Sequence, residues 1–237
     1  MASALGLKPL SARSVVISLL LGAHPRGMSA RQVVRAGEHF SVPEPSVRVA
    51  LTRAVASGDL VREGSTYRVG ARLLERGERQ AQQAAQVPWT GDWEMAVVIT
   101  PGRPSTERAA LRQALARARL GELREGVWLR PANLDRPVPR PDDSLRTFTA
   151  APVEDPAALA ATLWDLAAWA AEAEATLERL AGDAPPDQRL ATAAHLVRHL
   201  TSDPLLPPEL CPTGWPGPRA RQAYAGFQEE VRRVVGA

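Results

Sequence analysis

Apolar and polar residues follow two different periods along the chain, and both occur within the first 86 residues. Apolar side chains recur every three or four positions in 12–21, 29–37 and 47–57, which predicts three short helices. Residues 60–63 and 66–69 alternate in steps of two around Gly64-Ser65, which predicts a hairpin with a two-residue turn. A connecting helix at 71–86 is expected to follow.

The third of these helices carries a pattern that points to function. Its apolar positions form a predicted buried stripe at helical spacing: Val47, Ala50, Leu51, Ala54 and Val55. The opposite face, predicted to be exposed, is arginine with small hydroxyl and aliphatic residues: Ser46, Arg48, Val49, Thr52 and Arg53. We expect Ser46 to cap this helix and Gly58 to end it, and we expect Ser29 to cap the helix before it. Arginines and hydroxyls on such a face can reach guanine edges and phosphates in a major groove.

The predicted hairpin adds further basic residues beside this helix. Arg62 and Arg68 flank its tip at Ser65, and Arg31 lies in the helix that precedes the third one. Three helices followed by a basic-flanked hairpin are typical of a winged helix-turn-helix. The alternative is a small helical domain with an unrelated hairpin.

The middle of the chain predicts a mixed α/β unit. Short apolar or alternating runs at 94–100, 126–130 and 145–150 predict strands, and 107–119 and 156–180 predict amphipathic helices. This order fits a split βαβ, ferredoxin-like unit. The prolines of 136–143 predict a stiff loop before the third strand.

The last part of the chain is predicted to be helical. Helices are expected at 188–200 and 219–235, separated by the proline-rich stretch 203–217. The predicted fold class is therefore α+β in three parts: a winged helix at 1–86, a ferredoxin-like unit at 87–182 and a mostly helical domain at 183–237.

Charge is distributed unevenly over these parts. The formal net charge of +3 divides into +6 for residues 1–80, +2 for 81–148 and −5 for 149–237. A basic head on an acidic tail suggests nucleic-acid contact in the N-terminal third, although chance scatter of surface charge gives the same pattern.

The composition excludes several classes of protein. Val15–Leu21 is far shorter than the roughly 20 apolar residues of a transmembrane helix. It resembles the core of a secretory signal, but its helical spacing continues into the predicted module. One cysteine excludes a disulfide framework and a cysteine-rich zinc site. We expect a cytoplasmic protein that does not contact membranes.

The chain offers little that resembles catalytic chemistry. His195 and His199 stand at a zinc-compatible spacing, but the protease glutamate and a third ligand are missing from the pattern. Ordinary helix histidines near Arg198 are the alternative. Cys211 lies in a proline-rich loop, and Asp142-Asp143 is an acidic pair in another. We therefore expect no catalytic residue, no metal and no cofactor.

Four stretches resemble the PaaX-like transcriptional repressors, which are named for control of phenylacetic acid degradation. They are the winged helix that ends at Gly58-Asp-Leu-Val61, Gly91-Asp-Trp93, Gly126-Val-Trp-Leu-Arg-Pro131, and Asp203-Pro-Leu-Leu-Pro-Pro-Glu-Leu210 with Trp215-Pro-Gly217. Together they span nearly the whole chain, and the last is the most distinctive.

The resemblance implies a dimeric DNA-binding repressor of a catabolic operon, released from operator DNA by a small-molecule effector. The family's best-known effector is the aryl-CoA thioester phenylacetyl-CoA, and its central part is similar in fold to the Cas2 proteins. We expect an aromatic acid or an acyl-CoA to bind near a set of aromatic and basic residues: Trp128, Arg130, His195, Arg198, His199 and Trp215. The alternative function is a small-molecule enzyme or binding protein whose N-terminal module serves only assembly.

Overall fold

The computed structural model describes residues 6–74, 85–100, 102–136 and 144–236. The helices and strands of these residues, in chain order, are α1 (Ala12–Gly22), β1 (Met28–Ser29), α2 (Ala30–His39), α3 (Glu44–Ala56), β2 (Leu60–Glu63), β3 (Thr66–Val69), β4 (Trp93–Val98), α4 (Ser105–Arg117), β5 (Gly121–Arg124), β6 (Val127–Pro131), β7 (Leu145–Ala150), α5 (Pro156–Leu163), α6 (Leu166–Ala181), α7 (Pro186–Leu200), a 3₁₀ turn (Pro208–Leu210) and α8 (Gly217–Gly236). None of the described helices has the length and apolar character that crossing a bilayer requires.

The fold is α+β, as predicted, and the chain divides into two compact units. The first unit combines the N-terminal elements, within Met1–Gln82, with Glu172–Leu200 and Pro216–Ala237. The second unit combines Gln83–Ala171 with Thr201–Trp215. Each unit is assembled from separate stretches of sequence, and the boundaries expected after residues 86 and 182 stay a prediction.

Within the first unit, α1, α2 and α3 accompany an antiparallel sheet with strand order β1-β3-β2, whose first strand lies between α1 and α2 in the chain. The predicted hairpin is confirmed, with Leu60 opposite Val69 and Glu63 opposite Thr66. The third strand was not predicted. Met28 and Ser29 pair with Tyr67 and Thr66, and two residues are too few for an alternating pattern to be visible.

Side-chain caps were predicted for two helices of the N-terminal module, at Ser29 and Ser46, and the first of them is correct. Ser29 caps α2 in a reciprocal capping box with Gln32, because the Ser29 side chain accepts from the Gln32 amide while the Gln32 side chain accepts from Ser29. The cap at Ser46 is wrong, since α3 begins at Glu44 after Pro43. Pro45 is tolerated there because the first helical turn leaves its backbone amides unpaired.

The second unit holds a four-stranded antiparallel sheet with the order β5-β6-β4-β7. This is the strand order of a ferredoxin-like sheet, and the predicted central fold is confirmed. The structure adds β5, a short and mostly polar strand that the sequence did not indicate. One face of the sheet packs Ala96 and Trp128 against Leu111 and Leu115 of α4, and the other packs Trp93 and Leu129.

The single long helix predicted over 156–180 is wrong. Trp164 is extended, and the chain restarts as α6, whose first turn is capped by Asp165 through a 2.9 Å hydrogen bond from the Ala168 amide. The break lies where Leu163 and Trp164 pack on Gly121, at which an added Cβ would approach Leu163 Cβ to 2.7 Å. The break therefore combines a local cap at Asp165 with a close contact to the distant strand β5.

Two predicted segments are described only in part. Of the connecting helix at 71–86, residues 71–74 are helical, whereas Gln86 forms an isolated β-bridge with Leu134. Residues 75–84 lie outside the described part of the chain, as do 137–143 of the predicted loop with Asp142 and Asp143.

Candidate nucleic-acid interface

Helix α3 has one buried and one exposed face, as its sequence predicts. Val47, Ala50, Leu51 and Ala54 are buried, whereas Val55 is only half-buried. All five residues predicted to face outward are exposed: Ser46, Arg48, Val49, Thr52 and Arg53. The helix therefore offers solvent a continuous surface of arginine, hydroxyl and aliphatic groups.

Close packing against α2 holds α3 in place. Gly37 of α2 lies against Val47, which is fully buried, and a Cβ at position 37 would be 2.8 Å from Val47 Cγ2. The missing side chain at Gly37 thus lets the two helix backbones approach each other. This approach fixes the orientation of the exposed face of α3.

The two arginines of α3 differ in their surroundings. The guanidinium of Arg48 donates from Nε to Glu44 Oε1 at 2.7 Å, and both side chains are about half exposed. The guanidinium of Arg53 makes no hydrogen bond or ion pair with another described residue. Any anion that binds Arg48 must therefore compete with Glu44, whereas Arg53 is accessible without such competition.

One of the two predicted arginines of the hairpin, Arg62, is exposed to solvent. Its guanidinium donates from Nε to the Gly64 carbonyl at 3.0 Å and lies 5.6 Å from the centre of the Tyr67 ring. These contacts stiffen the tip, where Ser65 is exposed and Gly64 has a φ of 60°. Such positive φ is readily adopted by glycine and suits a tight hairpin turn.

Arg68 is held more firmly within the module than the sequence suggested. Its guanidinium donates to the Pro25 carbonyl and pairs with Glu63 at 3.0 Å, so it braces the hairpin against the loop before β1. Arg31 is exposed on α2, and Arg35 is exposed one turn further along the same helix. Sequence reasoning missed Arg35, although its spacing of four residues from Arg31 is the signal that would have found it.

The residues predicted to bind an effector are distributed over both units. In the second unit Arg130 is fully buried and donates to Asn133 Oδ1 at 2.7 Å and to the Pro131 carbonyl at 2.9 Å. Burial lowers the pKa of Arg130 to about 9, and Glu94, its partner across the strand pair, opposes that shift. The guanidinium therefore stays charged at neutral pH inside the sheet unit.

This buried cluster anchors the proline-rich segment that carries the family resemblance. Asn133 donates from Nδ2 to the Leu205 carbonyl at 3.0 Å, and Gln86 donates to the carbonyls of Leu205 and Leu206 at 3.1 Å. Asp203 is fully buried and accepts from the Leu205 amide at 2.9 Å. The geometry assigns Arg130 and its neighbours a clear packing role, while their part in effector binding stays a prediction.

Trp128 and Trp215 do not meet in one pocket. Trp128 packs with Leu111 on one face of the sheet, whereas Trp215 packs with the Trp93 cluster and stacks on Trp169 at 4.5 Å between ring centres. Trp93 and Leu129 alternate with the side chains of the Trp128 face, so the two clusters lie on opposite sides of the sheet.

His195, Arg198 and His199 belong to α7 in the first unit. Both histidines face Glu172 of α6, with His195 Nε2 at 2.9 Å and His199 Nδ1 at 3.6 Å from Glu172 Oε1. Among the described residues, no group of three or more histidine, cysteine or acidic residues is placed to hold a metal ion. The pair thus forms a polar contact between two helices.

Nearly the whole chain is similar to known proteins. Three family descriptions match successive segments: "PaaX-like protein" at residues 11–77, "PaaX protein central Cas2-like domain" at 86–147 and "PaaX-like protein C-terminal domain" at 160–235. The solved structure of the uncharacterized protein Rv0674 from Mycobacterium tuberculosis is 42% identical, with a TM-score of 0.88 over 95% of this chain and 97% of that one. No curated protein matches the chain.

Proposed function

We propose, from the premise that the chain belongs to the PaaX-like family of transcriptional regulators, that it is a dimeric repressor that binds operator DNA of a catabolic operon through α3 and the β2–β3 hairpin. A small aromatic acid or an acyl-CoA thioester relieves this repression. The exposed face of α3, backed by a fully apolar underside, is the observation that carries the proposal.

The chemistry of that face suits a major groove. Arg53 and Arg48 can donate two hydrogen bonds each to a guanine edge or bind phosphate oxygens, and Val49 can contact a thymine methyl group. Ser46 and Thr52 can donate to either a base or a phosphate. The exposed Arg62 on the hairpin extends the same basic surface to flanking phosphates.

The dimer is proposed because a single recognition helix reads only a short stretch of DNA. One such helix contacts only a few base pairs, so useful specificity normally requires two half-sites about 34 Å apart on the same face of DNA. We therefore expect two copies of the chain on one operator with two-fold symmetry. A footprint with two protected segments one helical turn apart is the corresponding observation.

Fluorescence anisotropy with a labelled fragment of the promoter next to its own gene tests the proposal. Arg53→Ala combined with Arg48→Ala should weaken binding about tenfold to hundredfold, because charge-assisted contacts to DNA are lost. The slope of log K against log salt should become shallower by about 0.9 for each phosphate contact removed. Melting temperature should change little, because both side chains are exposed and the lost Arg48–Glu44 pair is worth only about 0.2–0.5 kcal/mol.

Arg233→Ala provides the matched control, since Arg233 is an exposed arginine of α8 in the same unit. It should leave affinity and salt slope close to those of the wild-type chain. Equal affinity of the double variant and the wild type would refute α3 as the reading helix. Absence of salt-dependent binding to any promoter fragment would favour the alternative, an enzyme or binding protein whose N-terminal module serves assembly.

A further inference from the structure

The second unit contains a cavity of about 970 Å³ between helix α4 and the turn of the β5–β6 hairpin. This volume lies at the upper end of the roughly 300–1,000 Å³ that small-molecule sites occupy. None of the described residues in the α3 surface or the β2–β3 hairpin lines it. The cavity therefore shares no described residue with the proposed DNA-binding surface.

The cavity wall is basic. Arg108 and Arg112 lie one turn apart on α4, and Arg124 ends β5 on the other side of the opening. The wall also includes Arg103 and two acidic residues, Glu122 and Glu125. Four guanidinium groups against two carboxylates leave a surplus of positive charge. Such an excess favours an anionic occupant.

The same cavity also has an apolar floor. Leu111 lies between the two arginines of α4, next to Val98 and the buried Trp128. Ile99 remains 47% exposed at this cavity. An apolar floor with charged groups placed around it is the usual composition of a site for a small organic ligand.

One of the arginines is already fixed in place. Arg112 pairs with Glu122 at 2.6 Å and lies 5.9 Å from the centre of the Trp128 ring. The side chains of Arg108 and Arg124 are exposed, and neither guanidinium makes a hydrogen bond or ion pair with another described residue. They are the two guanidinium groups that can bind a ligand anion without giving up an existing partner.

We propose that this cavity is the effector site and that it takes a small amphipathic organic anion, a carboxylate or phosphate ester on an apolar body. The anionic group binds Arg108 and Arg124, and the apolar body covers Leu111, Ile99 and Val98. A bare inorganic anion would leave most of the cavity and its apolar floor unfilled. That the bound ligand relieves repression rests on the proposed function, whereas the binding of the ligand to this cavity does not.

Isothermal titration of the full chain without DNA tests the site with four probes. Benzoate and phenyl phosphate each carry a ring and an anion, benzamide lacks the charge, and inorganic phosphate lacks the ring. At least one of the first two should bind saturably, and both benzamide and inorganic phosphate should bind about tenfold more weakly or worse. Which of the first two binds more tightly identifies the anionic group.

A double variant and a control variant test whether the probe binds in this cavity. Arg108→Ala combined with Arg124→Ala should weaken the preferred probe about tenfold to hundredfold, since it removes both charge-assisted contacts. Arg117→Ala is the matched control, because Arg117 is an exposed arginine of the same helix that does not line the cavity. It should bind the probe like the wild type.

Each other outcome overturns the inference. It fails if neither ring anion binds, if the uncharged amide binds equally well, or if the double variant retains wild-type affinity for the probe. It also fails if the double variant instead loses DNA affinity in the absence of a probe, which would make this a phosphate-contacting surface for DNA. If the chain binds the probe but no promoter DNA, only the proposed function is refuted.

Discussion

Arginine is used in opposite ways in the two compact units. In the first unit Arg53 is exposed on α3 above a wholly apolar underside. In the second unit Arg130 has no exposed surface and is enclosed by Asn133 and backbone carbonyls. The same residue type therefore serves a surface in one unit and the interior in the other, and burial decides which.

The difference has an energetic meaning. An exposed arginine contributes little to folding, because water solvates its charge in both the folded and the unfolded chain. A buried arginine must donate all its hydrogen bonds to acceptors within the protein, so removal of either partner leaves an unsatisfied group inside. We therefore expect the buried arginine of the sheet unit to affect stability. We expect the exposed arginines of the winged module to affect DNA binding instead.

Arg130→Met should have the largest effect. It removes the donor to Asn133 Oδ1 and to the Pro131 carbonyl, and it should lower the free energy of unfolding by about 3–5 kcal/mol. Urea unfolding followed by tryptophan fluorescence measures this change. The control Arg117→Met, at an exposed position in the same unit, should remain within about 0.5 kcal/mol of the wild type. Equal midpoints for both variants would contradict a stabilising role for the buried charge.

Gly37→Ala should have an intermediate effect, since it tests packing rather than charge. The new Cβ would lie 2.8 Å from Val47 Cγ2, and overpacking of this kind costs about 1–3 kcal/mol, partly offset by the better helix propensity of alanine. Thermal unfolding should show a lower melting temperature. Operator affinity should fall as well, because α3 would be displaced.

A second glycine provides the control for this prediction. Gly226 is an exposed glycine within α8, and nothing lies within 4 Å of a Cβ added there. Gly226→Ala should therefore raise stability by about 0.5–1 kcal/mol, the helix-propensity gain alone. If both glycine variants stabilise the chain, the close approach of α2 and α3 does not limit stability.

Glu44→Gln should have the smallest effect on folding. It breaks the exposed ion pair between Glu44 and Arg48, which lie one helical turn apart. Such a pair stabilises a helix by about 0.2–0.5 kcal/mol. DNA affinity should nevertheless rise, because Arg48 no longer has a competing carboxylate, and the salt slope should steepen by about 0.9 if Arg48 gains a phosphate. Glu38→Gln, an exposed acid on α2, is the control. Weaker binding of Glu44→Gln would indicate that Glu44 itself contacts the DNA.

Local patterns predicted much of the winged module. The hairpin at 60–63 and 66–69 and the cap at Ser29 are correct because a turn and a cap depend on residues adjacent in the chain. The exposed face of α3 is also correct, since helical spacing alone assigns the faces of an amphipathic helix. The DNA-contacting role of that face stays a prediction.

Features that depend on distant contacts were missed. β5 is short and mostly polar, and it exists because its backbone pairs with β6. The break between α5 and α6 lies where the chain packs on Gly121. The start of α3 was also misplaced, since Pro43 occupies the cap position three residues before Ser46. The cavity beside α4 was missed for the same reason, because its arginines and apolar floor come from three separate stretches of the chain, within 98–103, 108–112 and 122–128.

The sequence by itself determined the family, the α+β class and the face that α3 exposes, because motifs and periodicity are properties of neighbouring residues. Only the tertiary structure decided which arginines are buried and which surround a cavity. An arginine's environment depends on what the rest of the chain packs around it, and no spacing along 237 residues encodes that directly.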